Sequence, residues 1–133
     1  MLEVNRLSAA KLGLSGVASN AAEASRTCEI NVEHAESITF VYSLSWVAAT
    51  AMTAQFYLSP DDKTTYGRVM SVAVSAGAGV SSDYSWSHDV TASDAVAITV
   101  DCRNATHIKG IFAATGGGAT DLITVVAGSG EPG

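Results

Sequence analysis

The chain has 133 residues, of which 47% are hydrophobic and 15% are charged, and its formal net charge at pH 7 is −6. This length is typical of one domain, and the hydrophobic content excludes a wholly disordered chain. The acidic balance argues against a nucleic-acid partner, because phosphate contacts need clustered Lys and Arg. No apolar run approaches the roughly 20 residues of a membrane-spanning helix, so we expect no membrane partner either.

The first 25 residues differ from the rest of the chain, because they lack aromatic side chains and a regular hydrophobic period. Gly13, Ser15 and Gly16 interrupt any continuous helix, so residues 1–25 predict a flexible N-terminal arm. Apolar side chains on such an arm favour burial against another subunit. The candidate assembly residues of the arm are Leu2, Val4, Leu7, Leu12, Leu14 and Val17.

Between residues 26 and 127, apolar and polar residues alternate with period two, and turn-forming residues separate the alternating segments. Such alternation is typical of strands that bury one face. The pattern predicts an all-β domain over residues 26–127, an antiparallel β-sandwich of jelly-roll type with about eight strands. Residues 128–133 are predicted to be a flexible tail. The eight predicted segments are Cys28–Val32, Ile38–Trp46, Met52–Leu58, Met70–Val74, Tyr84–Val90, Val96–Cys102, Ile108–Ala114 and Leu122–Ala127.

The parity of these segments also predicts the core and the state of the two cysteines. Cys28 and Cys102 fall on the apolar faces of their strands, and two cysteines are too few for a disulfide framework. We expect free, inward-facing thiols that bind no metal, as in a protein made in a reducing cytosol, although the pattern leaves their pairing open. The predicted core residues are Phe40, Leu44, Trp46, Phe56, Trp86, Ile98 and Phe112.

Residue types that often carry catalysis are present without the spacing that catalysis needs. His34, His88 and His107 show no metal-ligand spacing. Residues 87–89 read Ser-His-Asp, but neighbouring strand residues point to opposite faces and cannot form one relay. Residues 61–62 are two aspartates that fit a turn better than a calcium loop. We therefore expect no catalytic residue, no metal site and no cofactor.

Two tyrosines are the candidate ligand or interface aromatics. Tyr57 and Tyr66 lie off the predicted inner faces, whereas Trp46, Tyr84 and Trp86 lie on them. Two exposed rings alone make an incomplete stacking platform for a sugar. Subunit contact is the other use of such rings.

The segment from Met52 to Val69 reads MTAQFYLSPDDKTTYGRV. It resembles a hairpin of small virion proteins from tailed bacteriophages, in which a Ser/Asp-rich turn is followed by Thr-Thr-aromatic and a returning strand. The resemblance covers about the middle third of the chain, and similar hairpins occur in sugar-binding sandwiches.

The resemblance to phage proteins implies a non-enzymatic virion protein, assembled in the host cytoplasm: a capsid decoration or cement subunit, or a neck or tail component. The expected partners are further copies of the chain and capsid or other virion proteins. The alternative is a carbohydrate-binding or adhesion module.

Overall fold

The computed structural model describes residues 3–75, 80–82 and 95–131. In these ranges the chain forms ten β-strands, one short α-helix, α1 (Ala9–Leu12), and one 3₁₀ helix (Glu23–Arg26). The all-β prediction is therefore confirmed. The strands are β1 (Glu3–Leu7), β2 (Val17–Ala18), β3 (Thr27–Asn31), β4 (Ser37–Leu44), β5 (Ala51–Ser59), β6 (Gly67–Ser75), β7 (Val80–Ser82), β8 (Val96–Asp101), β9 (His107–Thr115) and β10 (Leu122–Glu131).

The described strands form two antiparallel sheets. The first has the order β1-β10-β4-β8, with β2 also paired to β10, and the second has the order β3-β9-β5-β6-β7. Apart from the short β2 and β7, the strands pair first with last, second with seventh, third with sixth, and fourth with fifth. This is the pairing of a long hairpin wrapped into a jelly roll, so the predicted jelly-roll sandwich is confirmed.

Strict alternation of burial places the core between the two sheets. Strand β4 alternates half-buried and buried side chains along its whole length, and β8 alternates buried and exposed ones. The rings of Phe56 and Phe112 lie edge to face with centroids 5.7 Å apart, and Phe40 contacts both rings. Gly110 lies in β9, and an added Cβ there would lie 3.1 Å from the Phe112 ring and 3.3 Å from the Phe56 ring. A glycine at this position therefore leaves room for both rings.

Most of the predicted core is confirmed. Trp46 differs, because it is only half-buried in the loop after β4, and its indole N–H is buried without a hydrogen-bond partner. Trp86 and the predicted segment from residue 84 to 90 lie outside the described residues. The confirmed core residues are Phe40, Leu44, Phe56, Ile98 and Phe112.

The prediction of a flexible N-terminal arm is wrong for the described part of that segment. Strand β1 pairs with β10, with Leu7 opposite Ala127. Helix α1 is capped by the Ser8 hydroxyl, and Gly13 ends it with a left-handed backbone. The backbone carbonyl of Leu14 then accepts a hydrogen bond from the Val125 N–H at 3.0 Å. Backbone pairing with a distant strand fixes this segment, and no local period reveals such pairing.

The prediction of a flexible C-terminal tail from residue 128 is also wrong as far as residue 131. Strand β10 continues to Glu131 because it has a partner on each side. Gly130 lies opposite Val4 of β1 and opposite Ser37 of β4. Glycines that suggest a flexible end are here held by two ladders. No helix in the described ranges is long and apolar enough to span a membrane.

We predict that Phe56→Ala lowers the free energy of unfolding by ~3–5 kcal/mol, because a large cavity opens between packed sheets. Phe56 is fully buried, and urea denaturation measures the loss. The matched control is Thr53→Ala on the outward side of the same strand, where we expect a change within about 0.5 kcal/mol. A loss below about 1 kcal/mol for Phe56→Ala would contradict this placement of the core.

Candidate functional site

The two candidate tyrosines flank one lysine on the outer face of the second sheet. Strand register aligns Glu29 with Lys109 and Lys109 with Tyr57, while Tyr66 follows the turn after β5. The Lys109 ammonium lies 4.5 Å from the Tyr66 ring centroid and 5.1 Å from the Tyr57 ring centroid. Both distances fall within the range of a cation–π contact. The structure therefore brings the tyrosines together, but around an internal cation.

Hydrogen bonds engage the polar atoms of this cluster as well. The Tyr66 hydroxyl donates to the Glu29 carboxylate at 2.6 Å, and the Tyr57 hydroxyl donates to the Gln55 side-chain carbonyl at 3.1 Å. Burial, together with the adjacent Glu29 carboxylate, raises the pKa of Tyr66 above its ordinary value. The Lys63 ammonium lies 3.8 Å from Glu29. A sugar stacking on these rings would have to compete with contacts that the chain already makes.

The buried carboxylate of Asp121 connects the loop after β4 to the loop before β10 through hydrogen bonds. Oδ2 of Asp121 accepts hydrogen bonds from the backbone N–H groups of Val47, Ala48 and Ala49 at 2.8–2.9 Å. Its Oδ1 accepts from the Gly118 N–H at 3.1 Å. These backbone donors hold the pKa of Asp121 well below its ordinary value. The sequence gives no signal for this role of Asp121, because the residues around it are typical only of a turn.

Most of the candidate assembly residues are used within the chain. Leu14 is fully buried in the core, and Leu7, Leu12 and Val17 pack against it while half-buried. Val4 lies in β1, and Leu2 lies outside the described residues. The premise that these side chains need a partner for burial does not hold for Leu14. A role of the segment in assembly stays a prediction.

The cysteines and histidines do not form a common site in the described part of the chain. Cys28 and Cys102 are buried, free thiols, as expected, and burial raises the pKa of Cys28 to about 11. The buried His107 has its Nδ1 3.7 Å from the Asp62 carboxylate and 3.1 Å from the Thr106 hydroxyl. No group of three or more His, Cys, Asp or Glu side chains among the described residues could hold a metal ion.

Two clefts open along the margins of the sandwich, where the sheets separate. One, of about 570 Å³, lies between β5–β6 and the end of β8, with Leu58, Val69 and Arg103 in its lining. The other, of about 600 Å³, lies between β1 with α1 and β3. Among the described residues that line these two clefts, no nucleophilic side chain is hydrogen-bonded to a histidine or a carboxylate.

Comparisons with known proteins support the fold. No protein-family model matches the sequence, and no protein of curated function matches it. The chain is similar to the SPBc2 prophage-derived protein YomS, with a TM-score of 0.57 at 14% identity over 98% of this chain and 96% of that one.

Two further solved structures have lower TM-scores. A CBM4 structure gives 0.44 at 12% identity over 98% of this chain and 87% of that one. A chain of infectious bursal disease virus, Gx strain, gives 0.43 at 13% identity over 100% of this chain and 34% of that one.

We predict that Asp121→Asn lowers the melting temperature at pH 7 by roughly 5 °C or more, because charge-assisted bonds to a buried carboxylate are lost. The pKa of Asp121 is lower in the folded chain than its unfolded value of about 4. The ionised carboxylate therefore stabilises the folded chain fully above about pH 4, and this stabilisation is lost as the pH falls towards the folded-state pKa. The difference between wild type and variant therefore narrows as the pH is lowered from 7 towards about 2.5. Thermal melts by circular dichroism measure both effects.

The control for this prediction is Glu33→Gln, which removes one carboxylate at an exposed position. We expect its melting temperature to stay within about 2 °C of wild type at pH 7. Equal melting temperatures for Asp121→Asn and wild type at pH 7 would contradict an anchoring role of Asp121.

Proposed function

We propose that this chain is a non-enzymatic structural protein of a tailed-phage virion and acts there as a capsid decoration or cement subunit. Its partners are capsid or other virion proteins and further copies of itself, and it acts in the particle after assembly in the host cytoplasm. The observation that carries the proposal is a contrast within the sandwich. Three carboxylates are engaged in bonds inside the chain, while a broad sheet face in the described part of the chain carries almost no charge.

The carboxylates illustrate the first half of this contrast. Asp121 accepts four backbone N–H bonds, Glu29 accepts from Tyr66, and Asp101 pairs with Arg103 at 2.6 Å. Each carboxylate is bound by a donor that fixes a loop or a strand. Such groups stabilise a scaffold, whereas a catalytic acid or base needs a free pair of electrons or a labile proton.

Two independent likenesses support the virion assignment. The hairpin from residue 52 to 69 resembles one in small tailed-phage virion proteins, and its strands are now observed as β5 and β6. The prophage-derived protein YomS shares the fold over almost the whole of both chains. A position in the neck or tail fits the same observations and is separated from decoration by copy number.

Carbohydrate binding remains the alternative function. Tyr57 and Tyr66 lie on one outer face, as a binding platform would require. However, Lys109 lies over both rings, and both hydroxyls already donate hydrogen bonds within the chain. These contacts favour a structural role for the aromatic pair.

The test is the copy number of the chain on purified particles. Phage particles are made in cells that express the tagged chain, separated on a density gradient and measured by quantitative mass spectrometry against the major capsid protein. A decoration subunit gives a copy number that scales with the capsid lattice, whereas a neck or tail component gives only a few copies. An unrelated tagged protein of similar mass controls for trapping. Absence of the chain from particles would contradict the proposal.

A further inference from the structure

The outer face of the first sheet carries almost no charge in its interior. Strand register sets Val126 of β10 opposite Val41 of β4, and Val41 opposite Ala97 of β8. The neighbouring outward positions carry hydroxyl, glycine or apolar residues. They are Ser37, Thr39, Ser43, Thr99, Leu122, Thr124 and Gly128.

This face exposes two large apolar side chains. Val126 is 40% exposed and Leu122 is 39% exposed, and the Thr39 and Thr99 hydroxyls are hydrogen-bonded to each other at 2.8 Å. The second sheet carries Glu29, Lys63 and Lys109 at one end of its outer face. Its other end, around Thr53, is uncharged as well but exposes no large apolar side chain among the described residues. An apolar centre with depleted charge is the composition of the core of a protein–protein interface.

The charges near this face lie at its margins. Arg6 lies in β1, opposite Gly128 of β10, and Lys11 lies in α1. Both side chains are exposed. At the opposite margin, Asp101 ends β8 and is paired with Arg103 at 2.6 Å, with both side chains more than half exposed. A rim of charged residues around an apolar centre completes the pattern of an interface.

We infer that this face, defined by Val41, Ala97, Leu122, Thr124 and Val126, binds a second copy of the same chain across a two-fold axis. The inference deepens the self-association part of the proposed function and rests on it. Each chain carries a net charge of −6, so most contacts between two copies bring like charges together. The uncharged face avoids that repulsion. A two-fold axis parallel to the strands sets Arg6 and Lys11 of one copy above the paired Asp101 and Arg103 of the other, so no uncompensated like charge faces them.

The size of the face also suits a second copy. The four main strands, β1, β10, β4 and β8, have 5, 10, 8 and 6 residues. At about 3.4 Å per residue and a strand spacing of about 4.8 Å, they cover roughly 470 Å² in projection. Projecting side chains and the charged rim add to this area and bring it towards the ~800 Å² per partner of a standard interface. An isologous contact uses the same patch twice, so no second surface is needed.

The test introduces charge at the centre of the face. Analytical ultracentrifugation of the purified 133-residue chain gives a dimer of twice 13.6 kDa for wild type. In Val126→Arg and Ala97→Glu, burying an unpaired charge weakens self-association by about tenfold or more. The matched control is Thr53→Arg on the outer face of the other sheet, where Thr53 is flanked by Ala113 and Ala73. We expect this control to remain dimeric.

Circular dichroism melts of each variant distinguish loss of association from loss of folding. Because Ala97 is already exposed, we expect Ala97→Glu to fold, so it still tests the face if Val126→Arg does not fold. A wild-type chain that remains monomeric at high concentration would overturn the self-association. A dimer that folded Val126→Arg and Ala97→Glu leave intact would overturn the assignment to this face. Neither result touches the virion role, which particle copy number tests separately.

Discussion

The fold depends on strand β10 being paired on both sides. Its backbone bonds to β1 on one side and to β4 on the other, which joins the beginning of the described chain to its end and closes the jelly roll. The loop before β10 is held by the Asp121 carboxylate and by the Ser19 hydroxyl, which donates to the Gly118 carbonyl. An added Cβ at Gly117 would collide with Ser19, so the close approach of this loop to the N-terminal segment requires a glycine.

This closure determines which surfaces are left for contact. Because Leu14 lies inside the core, the N-terminal segment buries part of its apolar surface within its own sandwich. The outer face around Val126 and Val41 then remains as exposed apolar surface, while the opposite sheet carries the cluster of Tyr57, Tyr66 and Lys109. The two faces therefore differ chemically, and we assign contact between copies to the one that exposes Leu122 and Val126.

Period-two alternation was sufficient to predict the strands that bury one face, such as β4 and β8, and with them most of the core. It could not predict β1, because five residues give little periodicity and their partner lies more than a hundred positions away. The meeting of Tyr57 with Lys109 depends on strand register, which alternation does not define. The bonds to Asp121 depend on the backbone of a loop, so no spacing of residues could reveal them.

The measurement that tests this account most directly is the free energy of unfolding of Leu14→Ala in the 133-residue chain. Leu14 is fully buried, so the account predicts a loss of about 2–5 kcal/mol that is the same at every protein concentration. The control is Val126→Ala on the exposed side of β10, with a change within about 0.5 kcal/mol once the chain is diluted to the monomer. A loss below about 1 kcal/mol for Leu14→Ala would contradict the incorporation of the N-terminal segment into the jelly roll.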